Sequence, residues 1–207
     1  MHHNSVANIK QRNYRVNENN TQWWGTHNLD VGQTHLWKIG PLELWIEHLS
    51  REWNLSSRNS RNWLESSVLL SKQIPRPKNL NSSLVYQPQE QQFSVSAGHQ
   101  QYTLSPVLAP RNILSRFETP IQILPNEEVS LYLANPVYLK IDLTPQISLA
   151  EIASYRLTDS WYGPMNSSGE LCLANPNNSY LSLAQVPVRQ HLVLSALQVR
   201  NSTREKW

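Results

Sequence analysis

Three histidines stand out first. His27, His35 and His48 fall on neighbouring candidate strands. If their rings converged they would form a metal-ligand set, since neutral imidazole is a good zinc donor. Nothing in their spacing forces convergence, and isolated histidines at strand edges are the ordinary alternative. They stand as weak metal candidates, and no metal or cofactor is expected. The second group is Asp159, Trp161, Tyr162, Gly163 and Glu170. It sets two carboxylates and two aromatic rings across a turn-rich loop, Thr158 to Gly169. Loops held on rigid sheets commonly carry binding residues. The competing reading is a turn plugged by aromatics, because Trp and Tyr gain by burying their rings. The third group is the pair Trp23 and Trp24, whose rings could stack on sugar faces.

Much chemistry is excluded. No G-x-S-x-G elbow, P-loop, dinucleotide-binding glycine fingerprint or H-E-x-x-H occurs. Six glycines leave little material for a phosphate-cradling loop. The single cysteine, Cys172, forbids an intrachain disulfide or a multi-cysteine zinc site. It lies in a candidate strand and reads as a small buried hydrophobe. No catalytic residue is assigned.

The elements that would position these residues are short and extended. The chain has 207 residues, of which 16% are charged and 13 are proline. So many prolines leave no room for long helices. Its polarity comes mostly from Asn, Ser and Gln, which suit turns and sheet edges. The organising stretch is Leu36 to Leu55, which holds three of the eight tryptophans. Leu42, Leu44 and Ile46 alternate with Glu43, Trp45 and Glu47, and Gly40-Pro41 marks a turn. A helix starting at Pro41 would also collect Leu42, Trp45, Ile46, Leu49 and Trp53 on one face. Strands are the choice, given the alternation elsewhere.

Further strands are expected at Trp23 to Leu29, His35 to Ile39, Glu52 to Ser56, Ser83 to Gln87, Gln91 to Ser96, Gln101 to Leu108, Pro120 to Leu124 and His191 to Arg200. The strongest signal is Val129 to Leu143, broken at Asn135-Pro136. A short helix is expected within Asn59 to Leu70, where Asn62 and Glu65 have capping-box spacing, and Leu149 to Leu157 reads as helix or strand. LYLANP at 131–136 returns as LCLANP at 171–176. Two copies suggest either a repeat or two strands ended by the same turn chemistry, and the second reading is preferred.

The fold expected is mainly β: an antiparallel β-sandwich or partly open barrel with one or two short helices. Residues 1–21 read as a flexible polar arm, and 22–207 as a single β-rich domain. Two related half-sheets divided near 110–120 are the variant. The abrupt ending at Trp207 suggests a truncated C-terminus. The net charge is only +3. Arg58, Arg61, Lys72, Arg76 and Lys78 are spread along a Ser/Asn/Pro-rich segment, so no nucleic-acid partner is expected. No leader or membrane span is visible, which makes a cytoplasmic location the default.

The runs GPLELWIEHLSREW, LYLANPVYLKI and SWYGPMNSSGELCLAN resemble a prokaryotic protein family of unknown function. The resemblance spreads over most of the chain and rests on Trp, Gly and Pro positions. It implies a β-rich domain within longer proteins and supplies no activity. Three functions are therefore weighed. The first is a non-catalytic β-sandwich serving as a structural or protein-interaction module, its partner another protein or a missing C-terminal domain. The second is a carbohydrate-binding module using exposed Trp and Tyr. The third is a small metal-dependent hydrolase built on the three histidines and Asp159.

Overall fold

Alternation decides the centre of the molecule. Leu42, Leu44 and Ile46 are fully buried, while Glu43 and Glu47 between them stay half-exposed. A helix would have had to bury one stripe; the strand instead finds hydrogen-bonded neighbours on both sides. The structure is a computed structural model that describes residues 22–72, 85–94, 98–116, 120–165, 168–176 and 179–203, without the side chains of 85–89, 116 and 176. The polar arm, the connector 73–81 with Arg76 and Lys78, the first residues of the strand expected from Ser83, and Trp207 lie outside them.

In chain order the strands are β1 (Gly25–Asn28), β2 (Gln33–Ile39), β3 (Leu42–His48), β4 (Glu52–Ser60), β5 (Val68–Lys72), β6 (Val85–Ser94), β7 (Gln101–Val107) and β8 (Ile113–Arg116). They continue as β9 (Glu128–Pro136), β10 (Tyr138–Thr144), β11 (Ile147–Ala153), β12 (Thr158–Tyr162), β13 (Glu170–Pro176), β14 (Ser179–Tyr180) and β15 (Leu192–Arg200). They form a five-stranded sheet ordered β5-β2-β3-β4-β6 and a four-stranded sheet ordered β1-β7-β10-β11. Two three-stranded sheets follow, β12-β13-β8 and β14-β9-β15. Among the described strands only β13 and β8 run parallel; every other pair is antiparallel.

The two larger sheets make the sandwich. Trp37, Ile39, Leu44, Ile46, Trp53 and Leu55 of one meet Tyr102, Leu104, Leu139, Ile141 and Ile152 of the other in one continuous core. Trp45 points to the other face of β3, yet is only 3% exposed. Leu36 lies opposite it on β2, and the Arg58 guanidinium sits 5.1 Å from its ring centroid. Arg58 and Lys38 both pair with Glu43, at 2.5 and 2.9 Å. Burial pushes the Glu43 carboxyl up, and the two cations outweigh it and hold it below the usual range.

Several expectations need correction. The capping-box pattern at Asn62 builds a single turn, not a helix: Asn62 Oδ1 accepts from Leu64 N at 3.1 Å, and the Asn62 carbonyl accepts from Glu65 N at 3.2 Å. β4 and β5 on either side are claimed by the large sheet, and that pairing overrides local propensity. Of the two readings for Leu149 to Leu157 the strand holds, as β11 over Ile147–Ala153. Among the described residues the only helical element is the 3-10 turn Leu183–Gln185. The two short candidates around Gln91 are one strand, β6. Ile121 and Ile123 form no strand. That segment is a loop whose Ile123 carbonyl accepts from Asn201 Nδ2 at 2.8 Å.

The break after Asn135-Pro136 is not a hairpin turn. β9 and β10 belong to different sheets, and the chain switches sheet through the buried Val137. Val137 N–H donates to the His191 carbonyl, and the Val137 carbonyl accepts from Ser154 N, both at 3.0 Å. Trp23 Nε1 donates to the Gln190 carbonyl at 3.1 Å. These bonds fasten the β9 sheet to the sandwich. The LANP echo marks a second joint: Asn175 Nδ2 donates to Asn135 Oδ1 at 3.0 Å and to the Ala134 carbonyl at 3.3 Å. The repeated Asn-Pro ends therefore meet where the β9 and β13 sheets touch.

Candidate functional site

Asp159 leads to a cleft. β12 and β13 pair with Asp159 opposite Leu173, and β8 lies parallel to β13 on its other side. That arrangement carries Arg111, just before β8, to Asp159, and Arg111 Nη2 pairs with Asp159 Oδ1 at 2.5 Å. Both side chains are substantially exposed, so the pair orients groups more than it stabilises the fold. Behind it opens a cleft of about 420 Å³ between β4, β11 and the β12–β13 hairpin. Its polar lining includes Asn59, Arg111, Tyr138, Glu151, Arg156 and Asp159.

Two cations and two carboxylates balance in this lining, which suits a small polar ligand with both donors and acceptors. Burial pushes the Tyr138 phenol up; Arg111 and Arg156 pull it down and Asp159 adds to the rise. Tyr138 therefore stays protonated at neutral pH and serves as a hydrogen-bond donor. Among the described residues that line the cleft there is no His or Cys.

Glu170 turns away from this cleft. Its Oε1 accepts from Asn112 Nδ2 at 2.7 Å, which ties the start of β13 to the segment before β8. Trp161 and Tyr162 are 45% and 61% exposed. As consecutive strand residues they point to opposite faces and form no common platform. Trp161 Nε1 donates to the Pro164 carbonyl at 3.1 Å. Its ring lies so close over Gly169 that a Cβ there would come within 2.3 Å of it. Gly163 takes φ +103° to make the turn. Trp161 thus seals the hairpin it sits on.

Trp23 has no open ring face, being fully buried, and Trp24 meets it edge-on at 5.6 Å while 40% exposed. The histidines join an aromatic cluster in and beside the sandwich core. Trp37 Nε1 donates to the Tyr102 oxygen at 2.8 Å, and His35 Nδ1 lies 2.8 Å from the same oxygen. All three are satisfied when Tyr102 donates its proton to a neutral His35. Burial, then Lys72 and His27, push the His35 pKa down to about 4.

His27 packs on Trp37 and Tyr102, with Nε2 3.1 Å from the Trp23 carbonyl. Burial lowers its pKa against a rise from that carbonyl, with Lys72 lowering it further. His48 stacks on Trp53 at 4.2 Å and reaches the Leu29 carbonyl at 2.9 Å. Among the described residues no three His, Cys, Asp or Glu side chains are placed to hold a metal ion. Cys172 is buried in β13. Of the basic series, Arg58 is committed to Glu43 and Trp45.

Sequence reasoning reached Asp159 and missed Arg111, Tyr138 and Arg156. No local signal marks them, because three sheets gather them from separate parts of the chain. It also gave no sign that apolar side chains near the end are left open. Leu181, Leu183, Val188, Leu194 and Leu197 are all exposed. No helix among the described residues is long and apolar enough to cross a membrane.

No curated protein and no solved structure matches the chain. A family described as "Protein of unknown function (DUF432)" matches residues 23–207, which takes in every strand above. The chain belongs to the DUF432 family of unknown function.

Proposed function

We propose that this protein is a non-catalytic interaction module, in which the sandwich is the scaffold and the open β15 edge of the β14-β9-β15 sheet, with apolar side chains on both of its sides, is the part that meets another protein chain. The observation behind this reading is the distribution of exposed aliphatics. Val188, Leu194 and Leu197 are 84%, 43% and 44% exposed, whereas among the described strands of the sandwich Leu69, on the edge strand β5, is the large apolar side chain left open, at 49%. Exposed apolar residues gathered in one part of a folded protein mark contact surfaces.

A photo-crosslinking residue at Leu194, in the full chain at native expression, should give one discrete adduct. The same residue at Thr26, on the exposed side of β1, should give none. Equal labelling at both positions, or none at either, would remove the reading. A carbohydrate-binding role is weaker, because the exposed Trp161 and Tyr162 face opposite ways.

A further inference from the structure

Sheet edges expose unpaired N–H and C=O groups, and stable proteins protect them with shortness, proline, charge or bulges. The sheets of the described residues end on eight edge strands: β5, β6, β1, β11, β12, β8, β14 and β15. Seven are guarded. β1 and β8 have four residues, β14 has two, and β5 and β12 have five. β5 also ends on Lys72 and β12 carries Asp159. β6 carries Pro88, which cannot donate to a further strand. β11 carries Glu151, and its ladder with β10 is broken by two register shifts.

β15 has none of these devices. It runs nine residues, LVLSALQVR, without proline or glycine and with one charge, Arg200, at its end. Its ladder with β9 is continuous from Leu192↔Pro136 to Arg200↔Glu128, with no shift to twist the edge away. Leu194, Ser195, Ala196, Leu197 and Gln198 are exposed in succession, so neither face of the strand is covered there. No other strand among the described residues pairs with its outer edge.

We infer that the outer edge of β15 pairs antiparallel with β15 of a second copy of this chain, joining two three-stranded sheets into one of six strands. The inference rests on the interaction reading above and names its partner. A second copy fits because the strand can align with itself over its whole length with no like charges opposed. A two-fold axis perpendicular to the sheet keeps the same faces together, so opposed residues must share a face. Centred on Ala196, that axis overlaps all nine residues. Val193 then meets Val199, Ser195 meets Leu197, Leu194 meets Gln198, and Ala196 meets its own counterpart. Arg200 meets Leu192, already has Glu128 opposite it on β9, and faces no like charge. Small Ala196 at the axis lets the backbones close without a clash.

The register supplies the test. Sedimentation velocity on the full chain at tens of micromolar should give a species of twice 23.9 kDa. Ala196→Glu and Ala196→Lys each place two like charges directly opposite one another, and each should weaken the dimer by roughly tenfold or more. Mixing the two variants should restore it, because Glu then meets Lys. Unchanged far-ultraviolet circular dichroism shows that each variant is folded. A wild-type chain that stays monomeric overturns the inference, as does a dimer indifferent to both charges or a mixture that fails to recover. The crosslink from Leu194 separates the two readings. An adduct to a different protein from a monomeric chain sinks self-pairing and leaves the docking face standing; no adduct at all sinks both.

Discussion

The sandwich and the C-terminal sheets are built from the same kind of strand but solve different problems. In the sandwich, Trp37, Trp53, Tyr102 and the aliphatics around them are buried on facing sheets, and even the buried imidazole of His35 has a partner. In the β9 and β13 sheets the buried apolar set shrinks to side chains such as Leu131, Ala134, Cys172 and Leu173. Leu171, Leu194 and Leu197 remain outside. Those sheets are held at joints: the His191 and Gln190 carbonyls on the sandwich, and Asn175 on Asn135. The contrast separates the part that sets global stability from a part free to exchange contacts, and binding elements are commonly drawn from the less stable end.

The sharpest test of that division compares two apolar truncations. Trp37→Ala empties the centre of the sandwich and should cost about 3–5 kcal/mol in urea denaturation. Leu197→Ala, on half-open β15, should cost under about 1 kcal/mol by the same measurement. Similar losses at both sites would erase the distinction. Next comes Gly40→Ala at the joint. Gly40 holds φ +55°, and a Cβ there would come within 2.3 Å of His191 Nδ1. The clash and the strain together should cost about 1–3 kcal/mol. Native-state hydrogen exchange should show β9 and β15 loosening before β3. Adding His191→Ala should recover the steric part and not the strain, and full additivity in that cycle would deny the contact.

Acid should act on both regions at once. Burial, then Arg189, push the His191 pKa down to about 4, against a small rise from the Trp63 backbone, and neither ring nitrogen makes a well-formed hydrogen bond. His35 in the sandwich is held at about 4 as well. An unfolded histidine titrates near 6.5, so above that pH both states are neutral and neither group affects stability. Between 6.5 and 4 the unfolded chain takes up the protons first, and stability falls as pH falls. The slope should approach about 1.4 kcal/mol per pH unit for each histidine. Denaturation at pH 7 and pH 5 checks this. His35→Gln should flatten the profile of global unfolding. His191→Gln should flatten only the opening of the β9 sheet, if the two regions are energetically separate.

The strands of the sandwich were legible because each turns one face to the core, so the period of two is written into Leu42 to Glu47 and Val137 to Leu143. Asn59 to Leu70 misled because a capping pattern describes two interacting backbone groups, which a single turn satisfies as well as a helix does. β15 was visible as alternation, but its exposure was not: an apolar strand reads the same whether covered or open. Of the cleft only Asp159 was reachable, through its company of aromatics. Arg111 comes to it through the parallel β8–β13 pairing, a non-local event that leaves no trace in the residues beside it. In the sequence the histidines read as edge residues or ligands, whereas His35 and His48 are core groups satisfied by Tyr102 and by the Leu29 carbonyl.

A smaller effect than those at Trp37 and Gly40 bears on the LANP echo. If the two copies were merely strands stopped by the same turn chemistry, Asn175 and Asn135 would act independently. Their contact links the β13 and β9 sheets, and Asn175 is 9% exposed, so its amide must find partners inside the protein. Asn175→Ala should cost about 1 kcal/mol, chiefly by leaving the Ala134 carbonyl short of a donor. Hydrogen exchange should show the loss confined to β9 and β13, with β2 to β4 unchanged. A loss spread evenly over the whole chain would mean that the C-terminal sheets unfold together with the sandwich. The boundary drawn between scaffold and docking face would then have to go.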